Sequence, residues 1–134
     1  MTMISILLVE DHAVFASVLV RLLSKTRDME IAKVARTAER ALQEVPQQEF
    51  DLVLVDVSLP EMNGIGLVAA LRDQYPHLPC LMLSGHALAH YVTRALRAGA
   101  RGYVLKDNAL EIVDSIRHVM QGEIYVSPEL QDHA

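Results

Sequence analysis

Four patches of this chain carry residues that could do chemistry, and each directly follows an apolar, strand-like run. Glu10-Asp11 follows ISILLV, Asp56 follows DLVLV, Ser84 follows PCLML and Lys106 follows GYVL. In an open parallel α/β sheet the carboxyl ends of the strands share one edge, and ligands bind in the crevice there. Three carboxylates, a hydroxyl and an ammonium would then converge, a set suited to a hard divalent cation and a phosphoryl group. Mg²⁺ takes oxygen ligands and keeps several waters, so one or two carboxylates suffice to hold it. Aspartate is also a nucleophile that forms aspartyl phosphates, and a lysine grips phosphate as a point charge. A charge-assisted hydrogen bond of that kind contributes roughly 1.5 to 3 kcal/mol.

Taken singly, each residue has an ordinary structural role. An acid after a strand starts a turn or caps a helix, a strand-end serine is commonplace, and a lone lysine is usually a solvated charge. Their coincidence carries the argument. Clustered carboxylates repel one another, so such a cluster is not explained by stability alone. A cation removes the repulsion and neutralises charge on a transferring phosphoryl group.

The elements that must position these residues are legible. Ile4 to Val9, Glu30 to Ala35, Leu52 to Val55, Cys80 to Leu83 and Gly102 to Leu105 read as buried strands, and most carry apolar residues on consecutive positions. That pattern marks parallel strands covered on both faces. Helical stretches lie between and after them. Val14, Val18, Leu19, Leu22 and Leu23 form one stripe. Ala38 to Val45 follows Thr37 as N-cap and stops before Pro46. Gly64 to Tyr75 stops before Pro76, and Leu88 to Ala98 stops at Gly99. A last helix starts near Asn108 with Leu110, Val113, Ile116, Val119 and Met120 on one face, and Gly122 follows it. The alternation predicts an α/β doubly wound, five-stranded parallel sheet in the order 2-1-3-4-5, with right-handed crossovers. In that order strands one and three flank the switch point, and they carry all the acids.

The chain has 134 residues, the length of one domain. Apolar residues make up 51% and Trp is absent, so the core is built from aliphatic side chains and Met. A net charge of −5 argues against a general nucleic-acid surface on this segment. Cys80 stands alone, which excludes an intramolecular disulfide and favours a reducing compartment. No apolar run is long enough to span a bilayer. The start reads as a first strand and not as a signal peptide.

The pattern resembles the receiver domain of two-component response regulators, a flavodoxin-like fold, over nearly the whole chain. DVSLPEMNGIGL resembles the family's phosphoacceptor loop. By that resemblance Glu10 and Asp11 organise Mg²⁺, with Asp56 and the backbone carbonyl of Ser58 as further ligands. Asp56 is implied as phosphoacceptor. Ser84 is implied as the switch hydroxyl, Lys106 as the phosphate-facing lysine and Tyr103 as the switch aromatic that turns inward when Ser84 moves. GARGYVLKD and GEIYVSPEL resemble the NarL/FixJ (LuxR-type) subfamily, in which a helix-turn-helix DNA-binding domain normally follows.

The resemblance implies residues 1–122 as the receiver domain and 123–134 as an extension leading into a linker. It also implies a cytoplasmic signalling switch and not a classical enzyme. A sensor histidine kinase or phosphotransfer domain would phosphorylate it, and a homodimer could form on phosphorylation. It would contact DNA only through a domain absent from this chain, and no membrane. The apolar positions Leu88, Val92, Leu96, Ile112, Ile116 and Val119 are candidates for that pairing surface.

The sequence departs from the family pattern modestly. The acidic pair is Glu-Asp, Asp107 stands where many receivers have proline, and His86 is expected at the pocket rim. The six histidines show no zinc-like pairing with cysteine. Gly85 is read as allowing close backbone approach. The alternative is a phosphorylation-independent interaction scaffold, which would fit better had a pocket residue been lost. A haloacid-dehalogenase-like phosphatase is disfavoured, because its nucleophile loop follows the first strand. No G-x-G-x-x-G follows that strand either, which disfavours dinucleotide binding.

Overall fold

The computed structural model describes residues 3–60 and 62–133, with the backbone alone at 86, 87, 89, 132 and 133. The pocket-rim position expected for the His86 side chain therefore falls outside the described residues.

Five strands run β1 (Ile4–Val9), β2 (Met29–Ala35), β3 (Leu52–Asp56), β4 (Cys80–Ser84) and β5 (Gly102–Leu105). Five α-helices follow them in turn: α1 (Ala13–Ser24), α2 (Ala38–Glu44), α3 (Gly64–Gln74), α4 (Val92–Ala98) and α5 (Ala109–Met120). The strands pair in parallel in the order β2-β1-β3-β4-β5. A sixth short strand, β6 (Tyr125–Val126), joins the far edge, parallel to β5. The sheet is thus six-stranded and not five-stranded. The segment read as an extension holds a strand and a 3₁₀ turn, Pro128–His133.

The consecutive apolar positions split between two cores because alternate side chains of a strand point to opposite faces. Leu7, Val9, Val53, Val55 and Met82 pack with α2, α3 and α4 through Ala41, Leu67, Leu71 and Val92. Ile6, Leu8, Leu52, Leu54, Leu81 and Val104 pack on the other face with Leu19 and Leu23 of α1 and Ile112 and Ile116 of α5.

Helix starts follow from short polar side chains that accept orphan backbone N–H groups. Thr37 Oγ1 accepts from Arg40 N at 3.0 Å, Asn63 Oδ1 from Gly66 N at 3.0 Å and Asn108 Oδ1 from Glu111 N at 3.1 Å. Gly99 closes α4 in the left-handed region, φ 117°. The helix expected from Leu88 begins only at Val92. Residues His86–Tyr91 form a 3₁₀ segment, kinked at Leu88 with φ −109° and ψ 15°.

The surplus of apolar positions expected on the fourth and fifth helices is not exposed. Val92, Ile112, Ile116 and Val119 are buried against the sheet, and Leu88 and Leu96 are partly buried. Leu110, expected on the apolar face of the last helix, is instead exposed at the start of α5, and Val14 and Val18 on α1 are exposed as well.

Candidate functional site

The carboxyl ends of β1, β3, β4 and β5 bring all four sequence patches to one edge. The ladder continues just past the strands and fixes their backbones. Glu10 N donates to Ala35 O at 2.9 Å, Val57 N to Leu83 O at 3.0 Å and Lys106 N to Ser84 O at 2.9 Å. Gly64, at the start of α3, lies so close that a Cβ there would stand 2.3 Å from Asp56 O. Gly64 makes the close approach within the protein, whereas Gly85 faces open space, with no protein atom within 4 Å of where its Cβ would stand.

Glu10, Asp56 and Ser84 are buried. Lys106 Nζ reaches over them, 2.8 Å from Glu10 Oε1 and 3.3 Å from Asp56 Oδ2. Its ammonium also stands 4.7 Å from the centroid of the Phe15 ring, a cation–π distance. Burial pushes the Glu10 carboxyl above the ordinary glutamate value, the Lys106 hydrogen bond works against that, and the Asp56 charge adds to it. Asp56 Oδ1 accepts from Ser58 N at 3.1 Å and lies 3.2 Å from Ser58 Oγ. Sequence reasoning gave Ser58 a role through its carbonyl; the contacts made here run through its amide and hydroxyl.

Asp11 Oδ1 is buried and accepts no hydrogen bond. A buried lone pair without a donor is costly unless a cation or water meets it. Ligand atoms of Glu10, Asp11, His12 and Asp56 lie within 4.8 Å of one another. The oxygen donors in this set match the preference of a hard divalent cation. His12 was set aside in the sequence because it lacks cysteine partners. It joins the set because its ring does not cap α1 and lies 3.6 Å from Glu10 Oε2.

Tyr103 is fully buried, and its hydroxyl donates to Leu88 O at 2.6 Å and lies 3.0 Å from Ser84 Oγ. Ser84 Oγ in turn donates to Gly85 O at 2.8 Å. The ring expected to turn inward is therefore already inside. The kinked 86–91 segment presents the Leu88 carbonyl that holds it there. Burial raises the phenol's pKa, and the Ser84 contact partly offsets the rise. Cys80 is buried, its thiol pushed up to about 12 by desolvation, which agrees with an inert core role.

This edge, on a doubly wound sheet, defines a class. A family model for the response regulator receiver domain matches residues 6–117. The chain belongs to that family. It is 31% identical over 128 residues to the transcriptional regulatory protein DegU of Brevibacillus brevis, covering 95% of this chain and 54% of DegU. It is 34% identical to the DNA-binding transcriptional activator DevR/DosR of Mycobacterium tuberculosis, covering 90% of this chain and 56% of the relative. Among solved structures it is similar to a LuxR-family two-component response regulator from Aurantimonas sp. SI85-9A1. The TM-score is 0.92 at 26% identity, covering 98% of this chain and 94% of that one. The chain spans just over half the length of these two curated relatives.

Proposed function

We propose that Asp56 accepts a phosphoryl group from a histidine kinase or phosphotransfer domain, with Mg²⁺ held by Asp11, Asp56 and the Ser58 carbonyl and by Glu10 through water. The observation that carries this reading is the pairing of a buried Asp11 Oδ1, which accepts no hydrogen bond and has the His12 ring at 3.9 Å beside it, with an ammonium poised over Asp56. One side takes a cation and the other takes the oxygens of an anion.

In the transfer, an Asp56 carboxylate oxygen attacks phosphorus. The P–N bond to the donor imidazole breaks, and its electron pair stays with that ring. When bound, the cation neutralises charge on the phosphoryl oxygens. Lys106 turns from the carboxylates to the new dianion, and Ser84 Oγ gives up its hydrogen bond to Gly85 O to donate to a phosphoryl oxygen. Tyr103 then loses one partner and keeps the Leu88 carbonyl. The switch is a two-state equilibrium biased by the added charge. Moving it from 1:99 to 99:1 requires about 5.5 kcal/mol of differential stabilisation.

The output of this reading is control of transcription: the similar proteins DegU, a transcriptional regulatory protein, and DevR/DosR, a DNA-binding transcriptional activator, support it, and the NarL/FixJ resemblance implies a helix-turn-helix domain as the DNA-binding part. Pairing with a second copy on phosphorylation is part of the same reading, as is action in the cytoplasm. No helix among the described residues is long and apolar enough to cross a membrane.

The test is incubation with Mg²⁺ and a small phosphodonor, followed by mass mapping. A hydroxylamine-sensitive phosphoryl increase at Asp56, abolished in Asp56→Ala, is expected. A fully folded chain that takes up no label would replace this reading with that of a phosphorylation-independent scaffold.

A further inference from the structure

β5 has a strand neighbour on its outer side only at Gly102 and Tyr103, where Tyr125 and Val126 pair with it. Past that point β6 ends, and the buried Leu105 would have an N–H facing no strand. Buried backbone N–H groups are almost never left without an acceptor. Here the acceptor is a side chain: Ser127 Oγ, 3.2 Å from Leu105 N. Ser127 is itself 1% exposed, and its own N–H donates to Tyr103 O at 3.0 Å.

The same hydroxyl donates its proton to Glu111 Oε1. Glu111 lies in the first turn of α5, where its N–H is held by Asn108 Oδ1 at 3.1 Å. Leu105 immediately precedes Lys106, and Glu111 closes the turn after it. One buried hydroxyl therefore ties together both ends of the short stretch that carries the phosphate-facing ammonium. Ser127 lies beyond residues 6–117, the span matched by the family model.

We propose that Ser127 is a positioning residue for Lys106, so that the segment after α5 is part of the phosphoryl site and not a passive lead-out. The proposal rests on the reading of Asp56 and Lys106 given above. A serine fits the position because its one hydroxyl oxygen both accepts from Leu105 N and donates to Glu111. Among the described residues Ser127 makes no hydrogen bond to Asp11, Asp56 or Ser58, so its loss reaches the cation only indirectly, through Lys106, and should weigh more on the phosphoryl half of the site.

The experiment uses the whole chain and two titrations followed by amide NMR: Mg²⁺ alone, then beryllofluoride, a phosphoryl mimic, in saturating Mg²⁺. Ser127→Ala is expected to leave the Mg²⁺ dissociation constant within about twofold. It should weaken the mimic about tenfold, the lower end of what losing an orienting partner costs. The Leu105 amide should also exchange faster, and Ser127→Thr, which restores the hydroxyl, should recover the mimic's affinity. Should Ser127→Ala not fold, Ser127→Cys, of similar size and a weaker acceptor, is read the same way.

Unchanged mimic affinity in the variant, equal loss of Mg²⁺ and mimic, or failure of the threonine to rescue would each overturn the proposal. Asp56→Asn is the control that separates the two readings. A wild-type chain that binds no mimic overturns the phosphoacceptor reading and this one with it. A wild type that binds and a Ser127→Ala that binds equally well overturns this one alone.

Discussion

Lys106 Nζ lies nearer to Glu10 than to Asp56, 2.8 Å against 3.3 Å. In the unmodified chain the lysine leans on the acid of β1, not on the proposed phosphoacceptor of β3. Two buried carboxylates share one partly exposed ammonium. Without it, Glu10 keeps only the His12 ring at 3.6 Å, and among the described residues no other ion pair reaches Asp56. On the proposed function, this arrangement holds an anion-binding group in reserve, neutralised until the phosphoryl group arrives.

Lys106→Ala should therefore destabilise the fold, by about 1–3 kcal/mol, the cost of leaving buried charged acceptors unmet. Mg²⁺ should recover part of that loss, because the cation binds the folded state and supplies the missing charge. Urea unfolding with and without Mg²⁺ checks both effects. A larger Mg²⁺-induced shift in the variant than in the wild type is the expected outcome. Equal shifts would show that the lysine does not balance these acids.

Gly64 gives a sharper steric test. A methyl group there would stand 2.3 Å from Asp56 O and 2.9 Å from Met82 Cε and Val55 Cγ1. The methionine end could move, but the Asp56 carbonyl belongs to the sheet and cannot move without shifting the site. Gly64→Ala should cost about 1–3 kcal/mol in stability, as overpacking does, and should weaken Mg²⁺ binding at Asp56. Gly85→Ala, with open space around it, should stay within about 0.5 kcal/mol of wild type. Thermal melts and a Mg²⁺ titration of the two variants decide the matter.

The contrast between those glycines illustrates what was legible in the sequence. β3, β4 and β5 could be read because strands covered on both faces are apolar almost throughout, and the residues that end those runs are the site itself. β2, at the sheet edge, carries exposed Glu30 and Lys33 and is the weakest of the five runs. Thr37 and Asn108 could be read because capping is a local matter. β6 could not: two residues carry no period, and Tyr125–Val126 become a strand only because the edge of β5 stands beside them. Gly64's role depends on a backbone eight residues earlier in the chain, and the Phe15 contact with Lys106 joins residues far apart in the sequence. The inward Tyr103 depends on the kink at Leu88, which interrupts a stretch whose composition reads as helix.

A pH prediction rests on an ion pair between α5 and the residue just before β2. Arg117 of α5 grips Asp28 through two hydrogen bonds of 3.0 Å, from Nε to Oδ2 and from Nη2 to Oδ1. The guanidinium's hydrogen bonds hold the Asp28 carboxyl below its ordinary value of 3.8. A carboxylate depressed in the folded state contributes stability that is present above the unfolded value and is lost as pH falls through the folded one. Asp28→Asn should therefore be less stable than wild type at neutral pH, by under about 1 kcal/mol because the pair is exposed. The difference should vanish as the pH drops below 3.8. Urea midpoints measured across the acid limb test this, and a gap that persists at low pH would assign the loss to something other than the charge.

Tyr103→Phe isolates the relay between the phosphoryl site and the 86–91 segment. The phenol joins Ser84 Oγ to the Leu88 carbonyl, and both contacts vanish while the ring's packing remains. Loss of the hydroxyl should cost about 1 kcal/mol. The effect should be local, because Leu88 sits in a kinked 3₁₀ segment with few ladder bonds of its own. Amide exchange across residues 86–91 should accelerate, while the protection of β4 and β5 is unchanged. Phosphoryl uptake at Asp56 should persist, since neither the acids nor Lys106 depends on the phenol. The response of the 86–91 amides to beryllofluoride should shrink, because Ser84 no longer has a partner to release there. A Tyr103→Phe chain whose 86–91 segment answers the mimic as fully as the wild type would place the relay on another route, and the contact of Lys106 with β5 would be the next to examine.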